Sequence, residues 1–239
     1  MDQGLDINYS DNNNHNALHF ACFGGKKEAI KFLIEKGVDI NIKSKLWSTP
    51  FFRYLMSSSN DIDIDLVKSL LPKDYSIDDV DSLGRTVLHV ACTKGSEEVV
   101  KFLLKKKFDV NKKDFQGFSV LHYAIGRKDA EIVKLVLDKN TTINDMSLQG
   151  VIPLHLACSK GEKNIIKLLV ENGADINLKD KEGKLAIERA PGNVKNKIKY
   201  IFKTTIVNKL DHDDLHNFPE DNNHSESKVL GEIDNEDNI

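Results

Sequence analysis

Apolar residues recur in a fixed pattern along the middle of the chain, and the pattern predicts helices with one buried face. In each of three sets, four apolar residues follow a spacing of i, i+1, i+4 and i+5. That spacing places all four on one side of an α-helix. The sets are Val99, Val100, Leu103 and Leu104; Ile132, Val133, Val136 and Leu137; and Ile165, Ile166, Leu169 and Val170. Successive sets are 33 residues apart, so the pattern predicts a repeating unit.

Residues 81–111 show one whole unit. They read as a polar turn, a short helix, a loop, a longer helix and a closing turn, and residues 114–144 and 147–177 carry the same apolar positions in the same order. A fixed period near 33 residues is typical of stacked helical arrays. A single helix pair of this kind buries its apolar faces only against its neighbours. We therefore expect an all-α repeat protein built from stacked helix-turn-helix units.

The first helix of each unit opens with a common motif. It reads Thr-Val-Leu-His-Val-Ala at residues 86–91, Ser-Val-Leu-His-Tyr-Ala at 119–124 and Ile-Pro-Leu-His-Leu-Ala at 152–157. Each resembles the T-P-L-H-x-A opening of an ankyrin repeat, and Gly-Ala-Asp-Ile-Asn at 173–177 resembles its G-A-D-x-N ending. The resemblance covers roughly residues 4–203. It implies an ankyrin solenoid of about six stacked repeats with β-hairpin or turn tips.

The period divides the chain into three parts. Residues 1–10 are interpreted as the remnant of a preceding repeat, residues 11–205 as the repeat domain, and residues 206–239 as an acidic disordered tail. Within the repeat domain, the predicted units are 11–43, 44–80, 81–113, 114–146, 147–179 and 180–205.

Some units depart from the pattern. In repeat two, Trp47 stands where the turn glycine is expected, Phe52 replaces the histidine, and four extra residues lie between the helices, in the segment 57–64. In repeat four, Lys128 replaces a loop glycine, which predicts strain there. The Pro-Gly pair at 191–192 predicts a shortened first helix in repeat six.

Charge and hydropathy exclude some functions. The net charge is −3, and residues 211–239 carry ten Asp and Glu against one Lys, so the preceding part is mildly positive. No run of Lys and Arg is interleaved with aromatics, so nucleic-acid binding is not expected. No apolar run approaches the roughly 20 residues of a membrane span, and the polar N-terminus does not resemble a signal peptide. We expect a cytoplasmic protein, with the nucleus as the alternative, and no membrane partner.

The three cysteines, Cys22, Cys92 and Cys158, fall at the same position of repeats one, three and five. Stacked repeats about 10 Å apart would separate them by about 20 Å, whereas a disulfide needs Cα atoms within about 7 Å. The sequence therefore predicts free, buried thiols in a reducing compartment.

The histidines of the opening motif do not predict a metal site. His89, His122 and His155 recur every 33 residues, and stacking would hold them about 10 Å apart rather than around one ion. The resemblance implies instead that each imidazole bonds the backbone of the adjoining loop. Phosphate-binding, metalloprotease, nucleophile-elbow and kinase motifs are absent from the sequence, so we expect no metal, no cofactor and no catalytic residue.

The resemblance also implies where a partner would bind. Ankyrin arrays contact other proteins through the turn tips and the exposed side of the first helices, and several tips here are unusually apolar. Such exposed patches tend to mark interaction sites, although tip-against-tip packing is the alternative. The predicted partner-binding residues are Leu46, Trp47, Leu83, Arg85, Phe115, Gln116, Phe118, Arg127, Leu148 and Val151.

The function expected from this family is non-catalytic protein–protein interaction. The chain would act as a monomeric adaptor, scaffold or stoichiometric inhibitor for another protein. Two alternatives stay open. One is an assembly chaperone resembling the ankyrin-type proteasomal chaperone, and the other is the ankyrin portion of a larger enzyme or signalling protein.

Overall fold

The computed structural model describes residues 6–57, 62–72, 75–76, 79–106 and 108–213, with side chains given up to residue 207 except for residue 206. The chain divides into two compact units, residues 1–148 and 149–239. Throughout the described residues the regular elements are helices, and β-structure is limited to isolated antiparallel bridges between flanking residues of some tips. The predicted all-α class is confirmed.

The first unit contains four helix pairs. The helices are α1 (Ala17–Phe23), α2 (Lys27–Glu35), α3 (Pro50–Leu55), α4 (Ile64–Leu70), α5 (Val87–Lys94), α6 (Glu97–Lys105), α7 (Val120–Arg127) and α8 (Ala130–Leu137). The first helices pack in the order α1, α3, α5, α7, and the second helices pack in the order α2, α4, α6, α8. This is the row of stacked pairs that the 33-residue period predicts.

The second unit contains the remaining elements. They are α9 (Pro153–Lys160), α10 (Lys163–Glu171), a 3-10 helix (Ala186–Arg189) and α11 (Gly192–Asp213). The expected shortening before Pro191 is confirmed, since the first helix of repeat six is a single 3-10 turn. Its second helix, α11, continues to Asp213, because no Gly or Pro interrupts residues 193–213. Residues 206–213 of the segment predicted as a tail are therefore helical, and residues 214–239 lie outside the described residues.

Local sequence sets where the helices begin. Ser96 Oγ accepts a hydrogen bond from the backbone N–H of Val99 at 3.3 Å, and Asp129 Oδ1 accepts one from Glu131 at 3.2 Å. These caps satisfy N–H groups of the first turn that have no partner within the helix. Pro153 occupies the first helical position, where its missing N–H removes no helical hydrogen bond.

The core lies between the helix pairs of each unit. The predicted apolar sets supply it, and burying each such side chain contributes roughly 1.5–3 kcal/mol. Side chains with no exposed surface include Val99, Val100, Leu103, Ile132, Val133 and Val136 in the first unit, and Ile166 and Leu169 in the second.

Repeat two keeps its place in the row despite the extra residues. Tyr54, at the end of α3, is fully buried, and its Oη accepts a hydrogen bond from the backbone N–H of Asp63 at 2.9 Å. Asp63 then caps α4 by accepting from the N–H of Asp65 at 2.9 Å. The chain leaving the insertion is thus anchored to the core just before α4 begins. Residues 58–61 of the insertion lie outside the described part of the chain.

Candidate protein-binding surface

Each repeat begins with a five-residue tip built on one backbone pattern. In the tip of residues 81–85, the N–H of Asp81 donates to the carbonyl of Arg85 at 3.0 Å. The N–H of Gly84 donates to the carbonyl of Asp81 at 2.9 Å. The fourth residue has a positive φ in all six tips. These residues and angles are Asn14 (62°), Trp47 (60°), Gly84 (79°), Gly117 (78°), Gly150 (73°) and Gly183 (77°).

Neighbouring tips are joined by backbone hydrogen bonds. The N–H of the second residue donates to the carbonyl of the third residue in the preceding tip, as Phe115 does to Leu83 at 3.0 Å. In the first unit the other bonds are Lys45 to Asn13 (2.9 Å), Ser82 to Leu46 (3.2 Å) and Leu148 to Gln116 (2.8 Å), and in the second unit Lys181 bonds to Gln149 (3.0 Å). The tips therefore form a ladder whose rungs use main-chain atoms.

The ladder leaves large apolar side chains in solvent. We use the name tip strip for Leu46, Trp47, Leu83, Phe115 and Leu148, which belong to four successive tips of the first unit. Each is between 54% and 64% exposed. Exposed large apolar residues scattered singly are ordinary, whereas a contiguous patch tends to mark an interaction site. The rungs hold the tips that carry these side chains next to one another.

A groove opens beside the strip between the tips of repeats two, three and four. Its volume is about 520 Å³, which lies within the range of small-ligand and side-chain pockets. Two strip residues form its apolar walls. Its lining includes Lys43, Lys45, Trp47, Asp79, Ser82 and Phe115. An ion pair of 2.8 Å between Lys43 Nζ and Asp79 Oδ1 closes one side of the groove.

Trp47 adopts a backbone conformation that a bulky residue rarely takes. Its φ of 60° lies in the left-handed region, where four of the other tips carry glycine and one carries asparagine. A side chain with a β-carbon costs roughly 1–2 kcal/mol there. Because the indole is 64% exposed, core packing does not offset this cost. Strain of this kind, at an exposed aromatic residue, is more common at functional positions.

Two of the other predicted residues, both arginines, have internal partners. Arg85 is held by Asp81, with its Nε 2.9 Å and its Nη2 2.6 Å from Oδ2 of that carboxylate. Arg127 donates from Nη1 to the carbonyl of Gly95 at 2.6 Å. Both arginines are half-buried.

The remaining predicted residues differ in exposure. Gln116 is exposed beside Phe115 on its tip, whereas Val151 is half-buried. Phe118 is also half-buried and packs edge-on against the His122 ring, with ring centroids 5.3 Å apart. The structure thus gathers Gln116 with the tip strip and places Arg85, Phe118, Arg127 and Val151 in supporting positions.

The carboxylate that starts a tip also organises it. Oδ1 of Asp180 accepts from the N–H groups of Glu182 at 2.9 Å and Lys184 at 3.1 Å, while Oδ2 accepts from Arg189 Nε at 2.7 Å. Burial raises the pKa of Asp180, but these hydrogen bonds outweigh burial and hold the pKa below its ordinary value. The tip therefore depends on an ionised carboxylate.

Sequence reasoning did not identify some residues that lie near the candidate binding surface. Phe20 and Phe23 on α1 are 58% and 49% exposed, and the Arg53 guanidinium lies 5.1 Å from the centroid of the Phe23 ring. Lys43 and Asp79, which border the groove, were likewise missed. For the two phenylalanines a signal existed, since both lie off the buried stripe of their helix. Asp79 lies outside the repeated apolar positions, and no periodicity could place it.

The opening motifs, the helix pairs and the tip ladder together match one family. The family model of ankyrin repeats (3 copies) matches residues 1–44, 54–147 and 129–211. The chain belongs to the ankyrin-repeat family. Ankyrin repeats are generally protein–protein interaction modules, and the solenoid class predicted from the sequence is confirmed.

The ankyrin domain of human ASB11, known from a crystal structure, shares this fold. The two match with a TM-score of 0.70 at 24% sequence identity, over 83% of this chain and 88% of that chain. At this level of identity, the likeness shows the fold alone.

Curated relatives match over shorter segments. Serine/threonine-protein kinase 12 of Arabidopsis thaliana is 36% identical over 70 residues, which are 29% of this chain and 14% of the kinase. The ankyrin repeat-containing protein P1E11.10 of Schizosaccharomyces pombe is 36% identical over 52 residues, which are 22% of this chain and 25% of that protein. The chain thus matches a quarter or less of the length of either relative.

The histidines of the ankyrin motif bond backbone groups, as the resemblance implied. In repeat one, Nδ1 of His19 lies 3.2 Å from the N–H of Asn16, and Nε2 lies 3.0 Å from the carbonyl of Ser48 in the next tip. In repeat five, Nε2 of His155 lies 2.9 Å from the carbonyl of Lys184. In repeats one and five, the imidazole therefore ties the first helix to the following tip.

His89 makes only half of this arrangement. Its Nδ1 accepts from the N–H of Thr86 at 3.1 Å, whereas its buried Nε2 has no partner of hydrogen-bond geometry, although the Phe118 carbonyl is the corresponding group. Burial lowers the pKa of His89 to about 4, and burial also lowers that of His19 to about 4. Both rings are therefore neutral at pH 7.

The three cysteines are free and buried, as predicted. Burial raises the pKa of Cys92 to about 12 and that of Cys158 to about 12, and it raises the pKa of Cys22 above its ordinary range. Such thiols are protonated and poor nucleophiles at neutral pH. They act as packing residues.

Other site chemistry is limited within the described ranges. Among those residues, no group of three or more His, Cys, Asp or Glu side chains is placed to hold a metal ion. No helix within these ranges has the length and apolarity needed to cross a bilayer.

Proposed function

We propose that this ankyrin-repeat protein binds another protein through the tip strip, acting as a non-catalytic adaptor, scaffold or stoichiometric inhibitor. The observation that carries the proposal is the strip itself, with five large apolar side chains exposed on four hydrogen-bonded tips. Aromatic residues dominate binding hot spots, and two of the five are Trp47 and Phe115. The ankyrin fold is typically a non-catalytic binding module, which fits this assignment.

The tip strip is a pre-organised binding surface. The rungs fix the spacing of the tips, so little order has to be gained when the partner binds, and a pre-organised surface loses less conformational entropy. The helices behind the tips hold the row in place through the core. Recognition would then depend on which side chains the tips carry rather than on a change of fold.

Quantitative affinity capture would test the proposal. The bait would be the full chain, the variant Leu83→Ser with Phe115→Ser, and the control Phe32→Ser, whose side chain is 55% exposed on α2 rather than at a tip. We expect the tip variant to lose most of the specifically captured protein while the control retains it. Both variants should unfold at nearly the wild-type urea midpoint, because surface substitutions usually change stability by less than about 0.5 kcal/mol. Equal capture by all three baits would refute binding through the strip.

A second candidate is that the chain is the ankyrin portion of a larger enzyme or signalling protein. The similarity to part of the Arabidopsis kinase favours it, since 70 residues match within a much longer protein. The tip strip would then hold a substrate or regulator close to a domain elsewhere in the same polypeptide. Sequencing the full-length transcript tests this candidate, and a transcript that encodes these 239 residues alone rules it out.

We also infer a reducing compartment, with the cytoplasm as the first choice. Its support is that the three cysteines are buried free thiols rather than bridged pairs, which is the usual state in the cytosol. Imaging of the tagged full chain, with the tag at either end in turn, would test this, and accumulation in a secretory compartment would contradict it.

A further inference from the structure

The charges around the groove between repeats two, three and four are unevenly matched. Lys43 is paired with Asp79 at 2.8 Å, and Asp81 is paired with Arg85 at 2.6 Å. Lys45 also lines the groove and is exposed, and the described residues give its amine no ion-pair partner. After the internal pairs are formed, the described residues of the groove therefore present one positive charge to whatever enters it.

The walls beside that charge are apolar and aromatic. Trp47 and Phe115 both line the groove, and each is 64% exposed. Two aromatic faces around a volume of about 520 Å³ offer a place for a large apolar side chain. Lys45 lies two residues from Trp47, so the ammonium group belongs to the same tip as one of the walls.

The backbone at Trp47 indicates that this residue is not there for the fold. Glycine occupies the equivalent position in four other tips and asparagine in one, and the φ of 60° disfavours a bulky residue. The indole is also largely in solvent. A tryptophan at this place therefore works against local conformation and gains little from the core, which leaves contact with a partner as its reason.

We propose that Lys45, Trp47 and Phe115 form a subsite for an extended protein segment in which a large apolar side chain stands next to a carboxylate. The apolar side chain enters between the two aromatic rings, and the carboxylate pairs with the Lys45 ammonium. This inference rests on the proposed function and names the chemistry of the partner segment. The two segment features are matched by two independent features of the groove.

Selection from a displayed library tests the chemistry directly. A random dodecapeptide phage library would be panned on the full chain, with Trp47→Gly as the counter-selection bait. We expect a consensus with Phe, Trp, Leu or Ile next to Asp or Glu. Panning on Lys45→Glu should replace the acid in the consensus by Lys or Arg. A consensus without an acidic position, or an enrichment that survives counter-selection on Trp47→Gly, would overturn the proposal.

The single tryptophan of the chain gives a second readout. If the added peptide contains no tryptophan, fluorescence excited selectively at tryptophan comes from Trp47 alone and so reports on this groove. Capped Gly-Glu-Phe-Glu-Gly, its Gln analogue and its Lys analogue would each be titrated. We expect saturable changes in emission, with the Glu peptide bound roughly threefold more tightly than the Gln peptide, as for an exposed ion pair. The difference should vanish in Lys45→Gln and shrink at high salt.

The outcomes separate this inference from the function on which it rests. If the Lys analogue binds as tightly as the Glu peptide, or no peptide alters Trp47 emission, the subsite is wrong. Loss of captured protein in the strip variant would still support the proposed function. If the strip variant captures everything that the wild-type chain does, the proposed function fails, whichever peptides bind.

Discussion

A β-carbon placed on Gly84 would lie 2.7 Å from the backbone nitrogen of Phe115. That nitrogen donates the rung between two tips, at 3.0 Å to the carbonyl of Leu83. Contacts under about 3 Å do not occur for real β-carbons, so any larger residue at this position must displace the rung. The conformation of one tip is thereby coupled to the position of the next.

Substitution at Gly84 should cost more than substitution at an end tip. Gly84→Ala adds left-handed strain of roughly 1–2 kcal/mol and a clash of roughly 1–3 kcal/mol. Gly183 has a similar φ of 77° but nothing within 4 Å of its added β-carbon. Gly183→Ala should therefore show the strain alone. Urea unfolding of both variants checks this. If both lose the same free energy of unfolding, the close approach of the added β-carbon to Phe115 has no energetic cost.

Replacing Trp47 should separate backbone strain from recognition. Trp47→Gly relieves the left-handed conformation, whereas Trp47→Ala keeps it, so the glycine variant should be more stable by about 1 kcal/mol. Both variants should lose captured protein to the same extent, because both lose the indole. Denaturation midpoints and quantitative capture give the two readouts. An alanine variant as stable as the glycine variant would show that φ at this tip relaxes.

Acidification should weaken the fold through the buried histidines. The pKa values of His19 and His89 are about 4 in the folded state and about 6.5 when unfolded. Between these values the unfolded chain binds more protons, so stability is full above pH 6.5 and is lost as the pH falls toward 4. Each histidine accounts for roughly 3 kcal/mol over that window.

The matched variant for the pH series is His89→Asn, which cannot titrate in this range. It should be less stable than the wild-type chain at pH 7.5 and should lose less on acidification, since it lacks the imidazole of His89. Urea midpoints at pH 7.5, 6.5, 5.5 and 4.5 provide the comparison. Parallel curves for the two proteins would show that His89 is not the titrating group.

Arg85 should matter for stability rather than for binding. Its guanidinium is bonded to the nearly buried carboxylate of Asp81, and Arg85→Ala removes these bonds at a cost of roughly 1–2 kcal/mol. Lys45→Ala, an exposed cation on the neighbouring tip, should change stability by less than about 0.5 kcal/mol. Capture by Arg85→Ala under conditions where it is folded should match the wild-type chain. A large loss of capture with an unchanged urea midpoint would return Arg85 to the binding surface.

Much of the fold could be predicted because it follows from local periodicity. The i, i+1, i+4, i+5 sets fix which helix faces are buried, and the apolar residues at 99, 132 and 165 are all in the core. The break at Pro191 was equally visible, because proline cannot continue a helix. The predicted boundary at residue 205 lies inside α11, because no Gly or Pro interrupts residues 193–213.

The candidate site was less accessible to sequence reasoning. Aligned repeats show that Arg85 and Phe118 occupy the fifth position of a tip, but not that one turns back to Asp81 and the other onto His122. Both partners lie only four residues away, but a repeat position does not fix the direction in which a side chain turns. The groove depends on a contact between Lys43 and Asp79, which are 36 residues apart in sequence. Neither residue occupies a repeat position from which this contact could be predicted.

The rungs between tips involve only main-chain donors and acceptors, and this has a consequence for how the protein can diversify. The second and third side chains of a tip are free to vary while the spacing of the row is maintained by atoms that every residue except proline possesses. The side chains that the tips present can therefore change one tip at a time, while the backbone that carries them stays the same.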